Sequence, residues 1–168
     1  LASDSPFPAR RGHSAVVHGK GNQIVVWGGT CGGTGQEGQL NDTWTLQHVD
    51  APEQLEWFSP QVKGAVPSAR RGHRAVVSGD VMVVVGGYGR GILHVLDLIE
   101  WGWSDVPIAT PPPGSECPPL QLSLFGACLL GSTLLIFGGQ EIRVVSLEHM
   151  DANTPRFTQD HTNHLYVV

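Results

Sequence analysis

The side chains best suited to chemistry lie in two nearly identical basic segments, PARRGH at residues 8–13 and PSARRGH at residues 67–73. Each segment has two arginines, which can bind carboxylates in a bidentate manner, and one histidine, which could act as a general base or a metal ligand. A third, weaker copy of the pattern has Phe125 at the position of the histidine. Because phenylalanine cannot exchange a proton, this replacement favours a packing role for His13 and His73 over catalysis.

The two arginines of each segment have different expected roles. Arg10 and Arg70 stand three residues before the histidine. We expect each to be partly buried, with its guanidinium group satisfied by carbonyl or carboxylate oxygens. Arg11 and Arg71 follow directly, and we expect their side chains to be exposed and to contact a partner.

Other arrangements that support catalysis or metal binding are incomplete. His161 and His164, with Asp160 beside them, could form half of a metal site, but no spaced cysteine or second histidine pair completes it. The sequence contains no GxSxG motif, and the glycine-rich residues 30–40 lack the GK[ST] signature of a phosphate-binding loop. We therefore predict no catalytic, cofactor-binding or metal-binding residues.

The elements that position the basic segments form a repeat. An apolar run that ends on two glycines occurs as IVVWGG at residues 24–29, MVVVGG at residues 82–87 and LLIFGG at residues 134–139. A shorter apolar strand and a turn precede each run, and further strand-like segments follow it. Four short strands in about 50 residues, with a glycine pair at a fixed place, are typical of a β-propeller blade.

The composition agrees with an all-β protein and argues against several classes of function. Only 15% of the residues are charged, and the 22 glycines and 12 prolines favour short strands joined by tight turns. The net charge of −5 argues against nucleic-acid binding, and no apolar run is long enough for a membrane helix. The three cysteines show no CxxC spacing, which favours a reducing compartment over a disulfide framework. The chain has no signal peptide and does not begin with Met, so we expect a piece of a longer polypeptide or a processed product.

The order of these motifs resembles that of kelch repeats. In the first repeat the resemblance is carried by Arg10, Gly12, His13, Gly28, Gly29, Asn41, Asp42, Trp44 and Trp57. In the second repeat it is carried by Arg70, Gly72, His73, Gly86, Gly87, Trp101 and Trp103. It covers roughly residues 8–160 and is weakest in the third repeat. The resemblance implies a kelch-type β-propeller of about three four-stranded antiparallel blades.

This number of blades implies an incomplete ring, because propellers close with ~4–8 blades. We expect blades at about residues 8–62, 67–108 and 119–160, and one strand of a further or closing blade at residues 161–168. The remaining blades would come from the parent chain or from a second copy of this chain.

The resemblance also implies where a partner binds, since kelch propellers mainly bind proteins, usually through loops at one mouth of the ring. The loops after the first two glycine pairs, residues 30–40 and 88–91, would reach this mouth. Tyrosine and arginine are common at the residues that dominate interface energetics. The candidate partner-binding residues are Arg11, Arg71, Tyr88, Arg90, Gln36 and Glu37.

The leading hypothesis is a non-catalytic protein–protein interaction scaffold, in a ligase substrate receptor, a phosphatase-linked module or a cytoskeletal or ciliary assembly. The alternative is a metal-dependent enzyme on a propeller scaffold, of the oxidase or specifier-protein type. That alternative needs metal ligands that converge on the propeller axis, and the three repeats supply no such set. We expect a cytoplasmic location, with the cytoskeleton or cilium as specific possibilities, and neither nucleic acid nor membrane as a partner.

Overall fold

Three β-sheets lie side by side in the computed structural model, in the order in which they occur in the chain. The structure describes residues 5–20, 22–32, 38–88, 93–106, 125–131, 133–138 and 143–146. No helix in these residues is long and apolar enough to span a membrane. The fold is all-β, as the sequence predicts.

The first sheet is a four-stranded antiparallel meander. Its strands, in order, are β1 (Ser14–His18), β2 (Gln23–Thr30), β3 (Gln39–Gln47) and β4 (Glu56–Phe58). A short 3-10 helix at Pro52–Gln54 connects the last two strands. Strand β2 continues through the glycine pair to Thr30, and its register with β3 shifts between Trp27 and Gly29. The first glycine therefore lies at a β-bulge, where its positive φ of 64° is accommodated.

The second sheet has one strand more than the sequence predicts. Its strands are β5 (Lys63–Gly64), β6 (Arg74–Ser78), β7 (Val81–Val85), β8 (Leu93–Asp97) and β9 (Gly102–Asp105). The extra strand β5 pairs with β9 in parallel and extends the sheet at its outer edge. Gly64 makes this pairing possible, because its φ is +83° and a Cβ atom there would collide with the carbonyl oxygen of Trp103.

The third sheet has three described strands, β10 (Phe125–Leu130), β11 (Thr133–Gly138) and β12 (Arg143–Ser146). The end of the third expected blade, up to residue 160, and the strand expected at residues 161–168 lie outside the described residues.

Two apolar layers join the three sheets. The layer between the first and second sheets contains Val25, Trp27, Met82, Val84, Leu96, Leu98 and Trp103. The layer between the second and third sheets contains Val76, Val83, Val85, Leu93, Phe125, Leu134 and Ile136. Strand β7 contributes alternate residues to the two layers, so its last four side chains, residues 82–85, are all buried. This is why its sequence is a continuous apolar run rather than an alternating one.

Candidate functional site: the arginine rim

Two equivalent turns bring the predicted contact residues to one end of the sheets. Arg11 and Thr30 exchange backbone hydrogen bonds, with N–O distances of 3.0 and 2.9 Å. In the second repeat the N–H of Tyr88 donates to the carbonyl oxygen of Arg71 at 3.0 Å. Thr30 and Tyr88 both stand two residues after the first glycine of their pair, so the two turns have the same design.

The second glycine of each pair allows this close approach. Gly29 and Gly87 have φ values of +95° and +88°. A Cβ atom at Gly29 would lie 2.9 Å from the Cβ of His13, and one at Gly87 would lie 2.9 Å from the Cβ of His73. Only glycine fits at these two positions, and the histidine backbone is thereby held against its own glycine pair.

The two turns are also bonded to each other. The N–H of Gly72 donates to the carbonyl oxygen of Gly12 at 2.9 Å. Gly12 has a φ of +65°, and a Cβ atom there would lie 3.2 Å from the Cβ of Arg71. The segment that carries Arg11 therefore lies directly beside the segment that carries Arg71.

Three predicted contact residues consequently form one surface, which we call the arginine rim: Arg11, Arg71 and Tyr88. The guanidinium carbon of Arg71 lies 5.6 Å from the centroid of the Tyr88 ring, which is a cation–π distance. Tyr88 is 47% exposed, Arg11 is exposed and Arg71 is half-buried. A guanidinium group beside a phenol ring, with a second arginine on the adjoining segment, suits recognition of carboxylates and apolar groups together.

Arg10, the residue before Arg11, is held in place by the carboxylate of Asp42. Its side chain is fully buried, and its two terminal nitrogens donate to the Asp42 carboxylate at 2.7 and 2.9 Å. It also donates to the carbonyl oxygen of Gly28 at 3.1 Å, and the Trp44 indole N–H donates to Asp42 at 2.7 Å. Burial acts to raise the pKa of Asp42, but the hydrogen bonds from Arg10 and Trp44 outweigh it and lower the pKa. The predicted structural role of Arg10 is confirmed.

Arg70 has the same place in the second repeat but a different set of acceptors. It is fully buried and donates to the carbonyl oxygen of Gly86 at 3.1 Å, and also to the carbonyl oxygen and hydroxyl of Ser68. Burial lowers the pKa of Arg70, and the negative charge of Asp105 opposes this shift. The carboxylate that acts on Arg70 is thus Asp105 on β9, whereas Asp42 of the first repeat lies on β3, the equivalent of β8. Asp105 also accepts a hydrogen bond from His94 at 2.8 Å.

The histidine of the second basic segment has a packing role. His73 is fully buried, its Nε2 lies 2.9 Å from the Ser14 hydroxyl, and its ring packs edge-on against Trp27 with a centroid distance of 4.7 Å. Burial, assisted by the charge of Arg70, lowers the pKa of His73 to about 3, so the ring is neutral at physiological pH. At the same place in the third repeat, Phe125 is buried in the apolar layer. The expected packing is confirmed for His73 and for Phe125.

A second polar contact joins the first two sheets at the opposite end, and no sequence pattern predicts it. The buried His18 contacts the Asp80 carboxylate at 2.9 Å through Nε2, and Lys20 donates to the same carboxylate at 2.6 Å. The hydrogen bonds from Lys20 and His18 lower the pKa of Asp80. The turns that end β1 and β6 are thereby linked, which fixes the relative position of the two sheets.

The structure describes only part of the predicted contact set, and contact of these residues with a partner stays a prediction. Arg11, Arg71 and Tyr88 are brought together, whereas Arg90, Gln36 and Glu37 lie outside the described residues. The sequence predicts a loop that begins at Thr30, but Thr30 ends β2 and is bonded to Arg11. The equal spacing of Thr30 and Tyr88 from their glycine pairs was the available signal.

The described residues contain no group of three or more His, Cys, Asp or Glu side chains that could hold a metal ion. The candidate half-site of Asp160, His161 and His164 lies outside these residues.

Known proteins resemble the chain over most of its length. The family described as the KLHDC2/KLHL20/DRC7 Kelch-repeats domain matches residues 2–163. Human Kelch domain-containing protein 3 is 34% identical over 140 residues, which is 80% of this chain and 33% of that protein. Human host cell factor 2 is 32% identical over 162 residues, which is 92% of this chain and 18% of that protein. The Caenorhabditis elegans host cell factor homolog hcf-1 is 31% identical over 166 residues, 92% of this chain and 20% of its own length. The chain thus spans about a third or less of these relatives.

Proposed function

Because this chain belongs to the kelch-repeat family, we propose that it is a non-catalytic scaffold that holds a partner protein at the arginine rim. Each of its three sheets is a kelch blade, and kelch repeats are in general protein-interaction modules. The observation that carries the proposal is the convergence of Arg11, Arg71 and Tyr88 at one end of two neighbouring blades.

The partner segment that fits this surface is acidic. Guanidinium groups bind carboxylates through paired charge-assisted hydrogen bonds, which are stronger than neutral ones. The rim is also positive on a chain whose net charge is −5, so the attraction for an acidic segment is local to this end of the blades. Tyr88 offers a ring on which an apolar side chain of the same segment can pack.

The backbone beneath the rim is well suited to binding because it is already ordered. The reciprocal hydrogen bonds of Arg11 with Thr30 and the bond between Gly12 and Gly72 hold both turns in place. A surface that does not have to order its backbone on binding loses less conformational entropy. Partner affinity would therefore depend mainly on the three rim side chains.

We place this scaffold in a larger protein or complex in the cytoplasm, such as a ligase substrate receptor, a phosphatase-linked module or a cytoskeletal or ciliary assembly. The remaining blades of the propeller would come from the rest of a parent chain or from a second copy.

The proposal is tested by affinity capture followed by binding measurements with each purified partner. Arg11→Glu and Arg71→Glu should each weaken binding by about 10-fold or more, because charged hydrogen bonds contribute ~1.5–3 kcal/mol. Tyr88→Ala should weaken it by a similar factor, as expected for an aromatic residue at an interface hot spot. Binding should also weaken as salt is raised.

Lys63→Glu is the matched control, since Lys63 is an exposed cation on β5, away from the rim, and its contact with Glu100 is between two exposed side chains. It should leave binding unchanged. If all three rim variants keep the same partners with the same affinities, the partner binds at blade edges or faces and the proposal is wrong.

A further inference from the structure

The two buried arginines of the basic segments share most of their hydrogen-bond acceptors. Arg10 donates from Nε to the carbonyl oxygen of Pro8 at 3.3 Å. Arg70 donates from Nε to the carbonyl oxygen of Ser68 at 3.1 Å. Both arginines also donate from Nη1 to the carbonyl oxygen of the first glycine of their glycine pair, at 3.1 Å in each case. The two guanidinium sites are therefore equivalent at these two nitrogens.

The two sites differ at the third nitrogen, Nη2. In the first repeat, Nη2 of Arg10 donates to a carboxylate oxygen of Asp42 at 2.9 Å. In the second repeat, Nη2 of Arg70 donates to the hydroxyl oxygen of Ser68 at 3.1 Å. The neutral hydroxyl of Ser68 thus has the place at Arg70 that a charged oxygen has at Arg10.

The sequence explains this exchange of acceptors. Trp44 on β3 and His94 on β8 are equivalent by strand register. The residues two positions before them are Asp42 and Ile92, so the second repeat has no carboxylate at that sequence position. It has instead a hydroxyl at Ser68, where the first repeat has a proline.

We propose that Ser68 is a phosphorylation site and that its phosphate binds the guanidinium group of Arg70, as the Asp42 carboxylate binds that of Arg10. A phosphate group on serine carries a charge of about −1.5 to −2 at neutral pH and has three acceptor oxygens. Arginine binds phosphate and carboxylate through the same charge-assisted hydrogen bonds. The modification would place at Arg70 the kind of anion that the first repeat has built in. This inference does not depend on partner binding at the arginine rim.

Ser68 lies where a protein kinase can reach it. It is exposed and lies between β5 and β6, outside the strands. Val66, two residues earlier in the same linker, is 37% exposed. The corresponding acceptor in the first repeat, the side chain of Asp42, is 34% exposed although that of Arg10 is fully buried. Both sites therefore combine a buried cation with an acceptor that solvent reaches.

The backbone on both sides of Ser68 is held by the first blade. The Asn41 side-chain amide donates to the carbonyl oxygen of Pro67 at 3.4 Å. The N–H of Arg70 donates to the carbonyl oxygen of Leu40 at 3.1 Å. Because this backbone is already ordered, a phosphate on Ser68 would contact Arg70 with little further loss of conformational entropy. The contact would strengthen the junction between the first two blades.

The proposed modification is a phosphoryl transfer from a nucleoside triphosphate, catalysed by a protein kinase. A bond forms between the Ser68 Oγ and the γ-phosphorus, and the bond from that phosphorus to its bridging oxygen breaks. The nucleoside diphosphate leaves, and the hydroxyl proton passes to a base of the kinase and then to solvent.

The phosphate contact is tested with the 168-residue chain carrying phosphoserine at residue 68, inserted during synthesis. The matched control is Pro8→Ser, made with and without phosphate on the new hydroxyl, since Arg10 already binds Asp42 there. Phosphate at residue 68 should raise the urea midpoint by about 0.5 M or more, the effect of one charged hydrogen bond. Phosphate at residue 8 should not raise it. Equal changes at the two positions would overturn the proposal.

Phosphorus NMR gives a second readout, which a general gain in stability does not change. A guanidinium group beside the phosphate favours its dianion, so the second pKa of phosphoserine at residue 68 should fall by about one unit or more from its usual value of about 6. The phosphate at residue 8 should shift less. If the two phosphates titrate alike, the phosphate does not bind Arg70 and the proposal is wrong.

The modification itself is tested by incubating the 168-residue chain and its Ser68→Ala variant with radiolabelled ATP and a eukaryotic cell extract. The original chain should be labelled, and Ser68→Ala should lose most of the label. Equal labelling of the two chains, or labelling of neither, would show that Ser68 is not the modified residue.

Discussion

The contact between Arg10 and Asp42 gives the sharpest test of how the first blade is stabilised. The Arg10 side chain is fully buried, and both of its terminal nitrogens donate to the carboxylate. Asp42→Ala leaves that guanidinium group without its counter-ion and also removes the acceptor of the Trp44 indole. The variant should lose much of its stability although the substituted side chain is itself 34% exposed.

The expected loss follows from the geometry. Removing one partner of a buried ion pair costs about 3–5 kcal/mol of unfolding free energy. Because water can reach the vacated position of the partly exposed Asp42, we expect the lower end, about 3 kcal/mol. This corresponds to a melting temperature about 6–12 °C lower for a chain of this size. Asp42→Asn should lose less, since its amide oxygen still accepts one hydrogen bond.

A double-mutant cycle separates the energy of the ion pair from other effects of the substitutions on stability. Arg10→Met combined with Asp42→Leu removes both charges and should bring stability to within about 1 kcal/mol of the original chain, because no buried charge is left unpaired. The control is the exposed pair of Lys63 and Glu100, for which Glu100→Ala should cost at most about 0.5 kcal/mol. Urea denaturation gives all these free energies. Equal losses for Asp42→Ala and Glu100→Ala would refute the reasoning.

Two further predictions test packing at other positions. The pKa of His73 is about 3 in the folded chain and 6.5 when unfolded, so the unfolded chain binds more protons between these values. His73 should therefore reduce the unfolding free energy by up to about 1.4 kcal/mol per pH unit as pH falls below 6.5. Urea midpoints at pH 7 and 5 should differ less in His73→Asn, and an unchanged difference would contradict the buried neutral ring. Gly64→Ala should destabilise the chain by about 2 kcal/mol or more. Gly79 also has a positive φ but has open space around it, so Gly79→Ala should cost only about 1 kcal/mol. Equal shifts in melting temperature for the two variants would argue against the pairing of β5 with β9.

Much of the strand pattern could be predicted because it depends on local spacing. In the third repeat, the hairpin of β10 and β11 with its turn at Gly131 is predicted by the same pattern as in the first two repeats: a short apolar strand, a turn and an apolar run before a glycine pair. Strand β5 could not be predicted, because its two residues, Lys63 and Gly64, have no strand pattern of their own. This segment pairs as a strand only because β9 and the residue before it offer carbonyl oxygens, to which the N–H groups of Lys63 and Ala65 donate.

The candidate site likewise has features that the sequence predicts and features that it does not. The sequence has Arg11 and Arg71 at equivalent repeat positions and Tyr88 directly after a glycine pair, and from this spacing it predicts all three at the same end of neighbouring blades. The partners beneath them could not be predicted in detail, since Asp42 serves Arg10 whereas Asp105 lies near Arg70 from a different strand. Which carboxylate lies near each arginine depends on which side chain occupies each register position once the strands are paired.

The amino-acid sequence by itself determined the repeat, the four-strand unit and the positions of the glycine pairs, because these follow from the two-residue period of strands and the φ preference of glycine. Only the tertiary structure decided which groups from distant parts of the chain meet. His73 contacts Ser14 of the preceding blade, and the Phe7 ring stacks on the Trp57 indole. Such contacts join residues 50 or more positions apart, and their geometry depends on how whole sheets stack rather than on the local pattern of any one strand.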